Sequence, residues 1–289
     1  MDVSKAVLIT GCSSGIGRAT AERLVRSGWT VYASARRIDA IADLGPAGCH
    51  LLELDVTDER SMRAAVARVE EAEGAVGVLV NNAGYSLSGA IESVPLGEVR
   101  RQFETNVFGL ARLCQLVLPG MRRQGFGRIV NVSSMGGRLT FPGGGYYHAS
   151  KHAVEALSDA LRFEVKGFGV DVIVIQPGLI RTDFADTAVG TIADRSEDPP
   201  GPYDGFNQTV AATTAGAYRN GIGRTLGGGP ELVARTIEQA ISARQPHTRY
   251  RVTGSARLLL TLRRLLPDRL WDAMVARTFP QPKADQPNP

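Results

Sequence analysis

The chain has 289 residues and a formal net charge of +4, with 43% hydrophobic and 21% charged residues. This composition is typical of a globular protein and excludes a wholly disordered chain, a fibre and a small disulfide-stapled scaffold. The excess positive charge lies near the C-terminal end, where residues 244–277 hold eight arginines and two aspartates, so the sequence does not indicate a nucleic-acid-binding domain.

Short apolar runs alternate with helical patterns over the first 175 residues. Because these runs are apolar throughout, their strands are predicted to be buried on both faces. Strict alternation of strand and helix then predicts an α/β fold with a single doubly wound, Rossmann-type parallel sheet and helices on both faces. The predicted strands cover residues 6–10, 30–34, 49–54, 76–80, 128–132 and 170–175. The first predicted helix runs from the glycine-rich turn after the first strand to residue 26, and the others cover residues 58–73, 95–118 and 147–166.

Local signals set some of the helix ends and the domain count. Gly28 is expected to end the first helix, and Thr57 or Asp58 to cap the second. The alternation has no linker, so we expect one domain over residues 1–279.

The pattern loosens after Pro177. Residues 183–229 are rich in Gly, Pro, Thr and Asp, and are predicted to form a substrate lid or to be disordered. A helix is predicted over residues 231–244, and residues 255–277 form a basic amphipathic segment. Residues 280–289 are predicted to be a disordered tail.

The sequence also bears on location and metals. No apolar run approaches the roughly 20 residues of a membrane-spanning helix, and the N-terminus lacks the basic region of a signal peptide. Three widely spaced cysteines favour free thiols in a reducing compartment, so we expect a cytoplasmic protein. His148 and His152 lie one helical turn apart but have no third ligand nearby, so no metal site is predicted.

The sequence T-G-C-S-S-G-I-G at residues 10–17 joins the first strand to the first helix. Its glycines allow a tight turn and close approach of a ligand to the backbone, and the start of the helix attracts phosphate. We therefore expect a nucleotide at this turn. The residues predicted to contact it are Gly11, Ser13, Ser14, Gly15, Ile16 and Gly17.

Two arginines, Arg36 and Arg37, follow the second strand. A protein that binds an unmodified adenosine ribose usually carries a carboxylate here. A carboxylate repels a 2′-phosphate, whereas a guanidinium group matches it with forked donors. The alternative is that both are solvated surface arginines, and Asp39 is expected to lie beyond the strand end. The pair favours NADP(H) over NAD(H).

A tyrosine and a lysine follow the fifth strand, which ends in Ser133 and Ser134. Tyr147 and Lys151 are four residues apart, so one helix presents both on the same face. A nearby ammonium group favours the phenolate and lowers the tyrosine pKa from about 10, which allows proton exchange nearer neutrality. The small residues of N-N-A-G at 81–84, which close the fourth strand, suit close passage of a cofactor.

Taken together, these motifs resemble the short-chain dehydrogenase/reductase family, in particular its hydroxysteroid and retinol dehydrogenases and related ketoreductases. The matching pieces cover about residues 5–183 in the order of the family. They are T-G-C-S-S-G-I-G, Asp55, N-N-A-G, N-V-F-G at 106–109, N-V-S-S at 131–134, Y-H-A-S-K at 147–151 and P-G-L-I-R-T at 177–182.

The resemblance implies a role for each of four catalytic residues. Tyr147 exchanges the proton with the substrate oxygen, and Ser134 polarises that oxygen. Lys151 lowers the pKa of Tyr147 and binds the nicotinamide ribose. Asn106 holds a water molecule that continues the proton relay.

The resemblance also implies further cofactor contacts. It places residues 55–56 beside the adenine, residues 82–84 on the side of its ribose, and residues 180 and 182 at the carboxamide. The residues implied in this way are Asp55, Val56, Asn82, Ala83, Gly84, Tyr147, Lys151, Pro177, Gly178, Ile180 and Thr182.

The substrate is predicted from the character of the expected pocket walls, which are apolar or aromatic and suit a medium-to-large hydrophobic carbonyl compound or alcohol. The alternative is that some of these side chains pack in the core. The residues are Tyr85, Leu139, Phe141 and Phe184, with Tyr203 and Phe206 of the lid segment.

We therefore predict an NADPH-dependent carbonyl reductase, reversible as an alcohol dehydrogenase, that acts on small molecules and not on nucleic acid. Two alternatives remain open: an NAD-dependent alcohol dehydrogenase, and a non-catalytic NADP(H)-binding sensor or interaction protein. The basic segment 255–277 is expected to cover the substrate pocket, with peripheral contact to an anionic membrane as the alternative. The resemblance implies a homo-oligomer through the helices at 95–118 and 147–166, without fixing its size.

Overall fold

The computed structural model describes residues 3–182, 190, 201–219, 225–279 and 281–282, without the side chains of residues 217–219. Seven parallel strands form one sheet. They are β1 (Val7–Ile9), β2 (Val31–Ala35), β3 (His50–Glu53), β4 (Val78–Asn81), β5 (Gly127–Val132), β6 (Val170–Gln176) and β7 (Arg249–Arg251). Their order across the sheet is β3-β2-β1-β4-β5-β6-β7.

The α-helices of the described residues lie mainly between these strands in the chain. They are α1 (Gly15–Arg26), α2 (Glu59–Glu73), α3 (Leu96–Phe103), α4 (Leu110–Gln124), α5 (Gly145–Glu164), α6 (Asp204–Arg219), α7 (Pro230–Ser242), α8 (Gly254–Leu265) and α9 (Asp268–Ala276). None of the helices in the described part of the chain has both the length and the apolar character needed to cross a bilayer.

Alternate residues of the central strands point to opposite faces of the sheet. On one face, Val7 and Ile9 of β1 pack with Leu24 of α1 and Ile237 of α7. On the other face, Leu8 packs in a second cluster that draws on α2, α4 and α5. Each such side chain, when fully buried, contributes about 1.5–3 kcal/mol relative to an exposed one. The prediction of a doubly wound parallel sheet covered on both faces is confirmed.

The strand order reverses beside β1. From β1 the chain builds β2 and then β3 outward on one side, and it returns to place β4 on the other side of β1. Ligands of doubly wound sheets bind at the carboxyl ends of the strands where the order reverses in this way. The loops that follow β1, β2, β4, β5 and β6 therefore frame the candidate site.

The predicted helix over residues 95–118 is wrong in detail. The structure divides it into α3, a π-helical segment at Glu104–Gly109, and α4. α4 continues through Pro119 and ends at Gln124, followed by Gly125 in the left-handed conformation (φ 67°). Glycine at this position is a common way to end a helix. Hydrogen bonds made by Asn106, described below, accompany the widened turn.

Several elements were absent from the sequence prediction. β7 was missed because R-Y-R is short and polar. Helix α6 lies inside the segment predicted as a lid or disordered, of which residues 183–189, 191–200 and 220–224 lie outside the described residues. In the predicted tail, only residues 281–282 are described. The three cysteines are buried free thiols, as the sequence predicted.

The C-terminal helices pack onto the loop that follows β5. Leu260 of α8 and Trp271 of α9 form an apolar cluster with Met135 and Leu139 of that loop, joined by Phe141. Four leucines of the basic amphipathic segment therefore face the protein along this side, namely Leu259, Leu260, Leu262 and Leu266. The others, Leu258, Leu265 and Leu270, are exposed.

Candidate active site

The glycine-rich turn lies between β1 and α1 with its backbone closely packed. Gly11 and Gly15 have positive φ angles, 73° and 56°, which glycine adopts without strain. A Cβ atom at Gly17 would lie 2.5 Å from Asn82 Nδ2 and closer still to the carbonyl oxygen of Gly11. The turn therefore depends on glycine both for its conformation and for the close approach of α1.

Asn82 and Ala83 brace this turn from the end of β4. Asn82 Nδ2 donates to the carbonyl oxygens of Thr10 (2.9 Å) and Gly11 (3.1 Å). Thr10 Oγ1 accepts from the backbone N–H groups of Asn82 and Ala83, both at 3.0 Å. The amide hydrogens of Asn82 thus hold the glycine-rich turn in place.

The start of α1 suits an anionic ligand. Ser13 and Ser14 are exposed, and Ser14 is the N-cap residue but makes no side-chain capping bond. The first turn of α1 contains no acidic residue. Its amide groups and its dipole therefore present an uncompensated positive end, which matches a phosphate.

The ends of β2 and β3 carry the residues predicted at the adenosine side. Arg36 and Arg37 are exposed, and neither forms an ion pair with another described residue. Asp55 Oδ1 accepts from the backbone and the hydroxyl of Thr57 (2.9 and 2.8 Å). Val56 is buried, with its carbonyl against Gly109. Two cationic groups are therefore available beside the turn, while the carboxylate of Asp55 shapes its own loop.

Lys151 and Tyr147 lie one turn apart on α5 and are both largely buried, 6% and 9% exposed. Lys151 Nζ lies 5.9 Å from the centroid of the Tyr147 ring and donates to the carbonyl oxygen of Val132 (2.9 Å). Burial lowers the pKa of Lys151 to about 8, and the nearby carboxylate of Glu155 opposes that shift. The predicted pair is brought together at the end of β5.

Ser134 begins the loop after β5, beside the same helix. Its Oγ accepts from the backbone N–H of Gly136 (3.0 Å) and caps a short 3-10 helix at Met135–Gly137. Because Oγ is the acceptor in this bond, its own hydrogen remains available to donate. Ser134 thus has the hydrogen-bond polarity needed to polarise an oxygen atom.

Asn106 lies in the π-helical segment and is 1% exposed. Its Oδ1 accepts from the backbone N–H of Tyr85 (3.1 Å), and its Nδ2 donates to the carbonyl oxygen of Tyr85 (3.0 Å) and to Ser150 Oγ (3.1 Å). A Cβ atom at Gly84 would lie 3.0 Å from Asn106 Oδ1 and 3.6 Å from Lys151 Nζ. Asn106 therefore joins the lysine side of the site, with its amide hydrogens bonded to neighbouring protein groups.

The loop after β6 reaches both the turn and the C-terminal helices. Pro177 accepts a hydrogen bond from the backbone of Met135 (2.8 Å). A Cβ atom at Gly178 would lie 2.5 Å from Ser255 Oγ, so α8 packs closely here. Ile180 is buried, and Thr182 lies beside Gly15. The loop thus returns the chain to the glycine-rich turn.

The predicted substrate residues fall into two groups. Leu139 is 1% exposed within the C-terminal apolar cluster, where the Phe141 ring lies 5.9 Å from that of Trp271. Tyr85 packs beside Asn106, in a cluster with Phe103 and Tyr146.

The aromatic residues of α6 and the segment before it lie near residue 90. Tyr203 donates to Glu92 Oε2 (2.7 Å) and contacts Phe206 edge-on. Asn207 Oδ1 accepts from the backbone of Ala90 (3.1 Å), which anchors α6. Phe184 lies outside the described residues.

Two residues of α5, His148 and Glu155, lie beside the predicted site residues but were not themselves predicted as site residues from the sequence. His148 Nδ1 is 3.1 Å from the carbonyl oxygen of Gly136, and its ring meets that of Tyr147 edge-on. Burial lowers the pKa of His148 to about 4. Glu155 is 2% exposed and lies one turn beyond Lys151. The spacing of 147, 151 and 155 was a signal in the sequence that could have identified Glu155.

Comparison with known proteins places the chain among oxidoreductases. Residues 5–191 match the family described as short chain dehydrogenase. The chain is 36% identical to the uncharacterized oxidoreductase YbbO of Escherichia coli, over 94% of each protein. It is 34% identical to the NADPH-dependent 3-dehydrocapnine reductase of Ornithobacterium rhinotracheale, over 92% of this chain and 94% of that protein. It is 35% identical to human 17-beta-hydroxysteroid dehydrogenase type 1, over 89% of this chain and 80% of that protein.

Two solved structures are similar to this chain over nearly its full length. A short-chain dehydrogenase from Streptomyces avermitilis superimposes with a TM-score of 0.74 at 34% identity, covering 95% of each chain. A short chain dehydrogenase/reductase from Burkholderia phymatum in complex with NAD gives a TM-score of 0.75 at 28% identity, covering 98% of each chain. The likeness therefore includes the C-terminal helices.

Proposed function

The chain belongs to the short-chain dehydrogenase/reductase family of nicotinamide-dependent oxidoreductases, and from this premise we propose that it is an NADPH-dependent carbonyl reductase. The observation that carries the proposal is the closeness of Lys151 to the Tyr147 ring at the carboxyl end of β5, where Lys151 bonds to Val132 and Ser134 begins the following loop. The proposed substrate is a medium-to-large hydrophobic ketone, and the reverse reaction oxidises the matching secondary alcohol.

The residues of the turn fit the pyrophosphate of a dinucleotide. The uncompensated start of α1 and the unused capping hydroxyl of Ser14 provide donors for phosphate. The cofactor, when bound, supplies the hydride that the reaction transfers. In this proposal Arg36 and Arg37 bind the 2′-phosphate that distinguishes NADPH from NADH.

The chain's own residues then handle the proton and the substrate oxygen. Ser134 donates its hydroxyl hydrogen to the oxygen while its Oγ stays fixed by Gly136. Tyr147 gives up its phenolic proton to the same oxygen, and the ammonium group of Lys151 favours the phenolate that remains. Asn106 holds Tyr85 and Ser150 in place, so that the lysine side of the site keeps its shape.

The hydrophobic substrate is supported by the apolar and aromatic surroundings of the site and by the relatives. Two relatives support it by their names, since one is a 3-dehydrocapnine reductase and the other a hydroxysteroid dehydrogenase. A panel of steroids, long-chain ketones and aromatic ketones, followed by NADPH absorbance at 340 nm, measures this preference.

Tyr147→Phe tests the reaction itself. The variant keeps the ring and loses the proton, so turnover falls by at least 10²-fold, in line with the loss of a general acid. NADPH binding, followed by fluorescence, stays within about threefold of the wild type. Turnover at the wild-type rate refutes the role of Tyr147. A wild-type protein that binds NADPH and reduces no carbonyl of the panel favours the sensor alternative.

Arg36→Asp tests the choice of cofactor. The new carboxylate repels the 2′-phosphate and accepts from a ribose hydroxyl, so the ratio of kcat/KM for NADPH over NADH falls by at least tenfold. Arg277→Asp, an exposed site near the C-terminal end, controls for the change in net charge. An unchanged ratio in the Arg36 variant contradicts the role of Arg36 at the 2′-phosphate. A wild-type preference for NADH supports the NAD-dependent alternative, which the NAD complex of the Burkholderia relative favours.

A further inference from the structure

Helix α5 carries four chemically active side chains at intervals of four residues. They are Tyr147, Lys151, Glu155 and Asp159. This spacing places them in a row along one side of the helix. The first two belong to the proposed reaction, and the third, Glu155, is a carboxylate buried to 2% exposure one turn beyond the lysine.

Three other elements hold the carboxylate of Glu155. Gln176 of β6 donates its Nε2 to Oε1 (2.8 Å), whereas Arg138 and Arg249 donate their Nε atoms to Oε2 (3.0 and 2.9 Å). Arg138 follows the short 3-10 helix in the loop that begins with Ser134, and Arg249 belongs to β7. Charge-assisted bonds from two guanidinium groups are the kind that stabilise a buried carboxylate as an anion.

The same two arginines continue to Asp159. Arg138 Nη2 lies 3.2 Å and Arg249 Nη2 2.6 Å from Asp159 Oδ2. Arg162 lies 2.5 Å from the other carboxylate oxygen of Asp159. Asp159 is more exposed than Glu155 and lies two turns from Lys151, which makes it a natural control for any effect of Glu155.

The loop that begins with Ser134, here called the serine loop, packs against α5 beside Glu155. A Cβ atom at Gly137 would lie 2.9 Å from Glu155 Cγ and 2.9 Å from the carbonyl oxygen of Lys151. Gly137 thus packs against the backbone of α5, and the next residue, Arg138, bonds to Glu155 of the same helix. A change at Glu155 acts on both halves of the proposed active site.

Glu155 also has an electrostatic effect on Lys151. Burial disfavours the ammonium form and lowers the pKa of Lys151 to about 8, and the charge of Glu155 acts in the opposite direction. The other charged or titratable groups along this row are Tyr147 on the near side, and Arg138, Arg249 and Asp159 beyond Glu155.

We propose that Glu155 is a positioning residue that places a buried carboxylate one turn from Lys151 on α5 and, through Arg138, holds the loop of Ser134 against that helix. The inference deepens the proposed reductase function and rests on it for its meaning. Glu155 touches neither the reacting atoms nor the cofactor in this proposal, and it acts through the lysine and the loop.

The titration of Lys151 tests the proposal without any need for turnover. The chain has four lysines, Lys5, Lys151, Lys166 and Lys283, so 13C-lysine labelling of the full-length protein gives few side-chain signals, and Lys151→Arg assigns the relevant one. In Glu155→Gln, the Lys151 pKa is expected to fall by about 1 unit, at the low end of the effect of a close opposite charge. In Asp159→Asn, which disturbs the same arginines, it is expected to move by less than about 0.3 unit because the lost charge is a turn farther away.

A second variant gives a shift of opposite sign. Arg249→Gln leaves the carboxylate of Glu155 in place and removes one cation that offsets its charge, so the Lys151 pKa is expected to rise. If Glu155→Gln does not fold, Arg249→Gln is the deciding variant. An unchanged or lowered Lys151 pKa in Arg249→Gln then overturns the proposal. An equal shift in the Glu155 and Asp159 variants, or an unchanged pKa in Glu155→Gln, also overturns it.

The pH profile links the titration to the reaction. The alkaline limb of kcat for NADPH-dependent reduction moves to lower pH in Glu155→Gln by the shift measured for Lys151, because the ammonium form is lost at lower pH. If kcat in Glu155→Gln is strongly reduced but its alkaline limb stays at the wild-type pH, the role of Glu155 is merely structural. If the wild type reduces no carbonyl compound, the proposed function fails, while the NMR titration still gives its own answer about Glu155 and Lys151.

Discussion

Replacement of Gly17 by alanine separates the binding of the cofactor from the stability of the sheet. Gly17 is the third residue of α1 and does not have a positive φ, so alanine is compatible with its backbone. The obstacle is steric, since the new Cβ would lie 2.5 Å from Asn82 Nδ2 and still nearer the carbonyl oxygen of Gly11. Normal contact requires the start of α1 to move away from the turn by about 1 Å.

The size of the effect follows from this displacement. Overpacking of a close-packed site costs about 1–3 kcal/mol, which for a chain of this length lowers the melting temperature by about 2–6 °C. The amide groups that face the phosphates move with α1, and a misplacement of about 1 Å costs about 10²-fold in a positioned interaction. We therefore expect a modest loss of stability and a rise in the Kd for NADPH of about 10²-fold.

Fluorescence titration with NADPH and thermal unfolding measure the two effects separately. Gly97→Ala is the matched control, because Gly97 lies in the first turn of α3 with nothing within 4 Å of a Cβ atom. Its affinity should be unchanged and its stability equal or slightly higher, since alanine is the better helix former. Wild-type affinity in Gly17→Ala together with a lowered melting temperature would refute the assignment of this turn to the cofactor.

Two further predictions concern the C-terminal cluster and the histidine beside Tyr147. Trp271→Ala should lower the free energy of unfolding by about 3–5 kcal/mol in urea, whereas Leu265→Ala, at a side chain that is 72% exposed, should change it by less than about 0.5 kcal/mol; equal effects would contradict the packing of α9 on the serine loop. Burial lowers the pKa of His148 from 6.5 to about 4. As the pH falls, the imidazole is therefore protonated in the unfolded chain before it is protonated in the folded protein. The stability present above pH 6.5 is lost as the pH falls toward 4. The loss is about 3 kcal/mol, and His148→Gln should show a flatter dependence between these pH values in urea unfolding; a slope equal to that of the wild type would contradict the buried neutral ring.

The strands that are covered by helices on both faces of the sheet were predicted well from the sequence. β1, β4, β5 and β6 lie under helices on both faces, and their continuous apolar runs placed each strand within one or two residues. Strand β7 has no such signal, because its three residues include two arginines at the edge of the sheet. Its pairing with β6 comes from tertiary context, which a pattern of hydrophobicity does not record.

Within the site, the sequence identified residues whose spacing along one element fixes their meeting. Tyr147 and Lys151 are such a pair, and the glycine-rich turn is another local feature. Contacts between distant parts of the chain were not accessible in this way. The bond from Arg249 to Glu155 spans 94 residues, and the packing of Trp271 against Phe141 joins a helix to a loop far earlier in the chain.

These long-range contacts explain why the C-terminal part of the chain matters to a site built by its first 182 residues. The loop of Ser134 has few apolar side chains of its own to bury, and it is held on two sides by later elements. Leu260 and Trp271 cover its apolar face, while Arg249 and Arg138 meet on Glu155 at its charged end. Because Ser134 must keep its Oγ aligned with the phenol of Tyr147 in the proposed reaction, the rigidity of this loop is a condition for catalysis. Loss of β7 or α9 should therefore impair the proposed reaction more than the binding of the cofactor, since the glycine-rich turn is braced by Asn82 and Ala83 at the end of β4 and by Ser34 of β2.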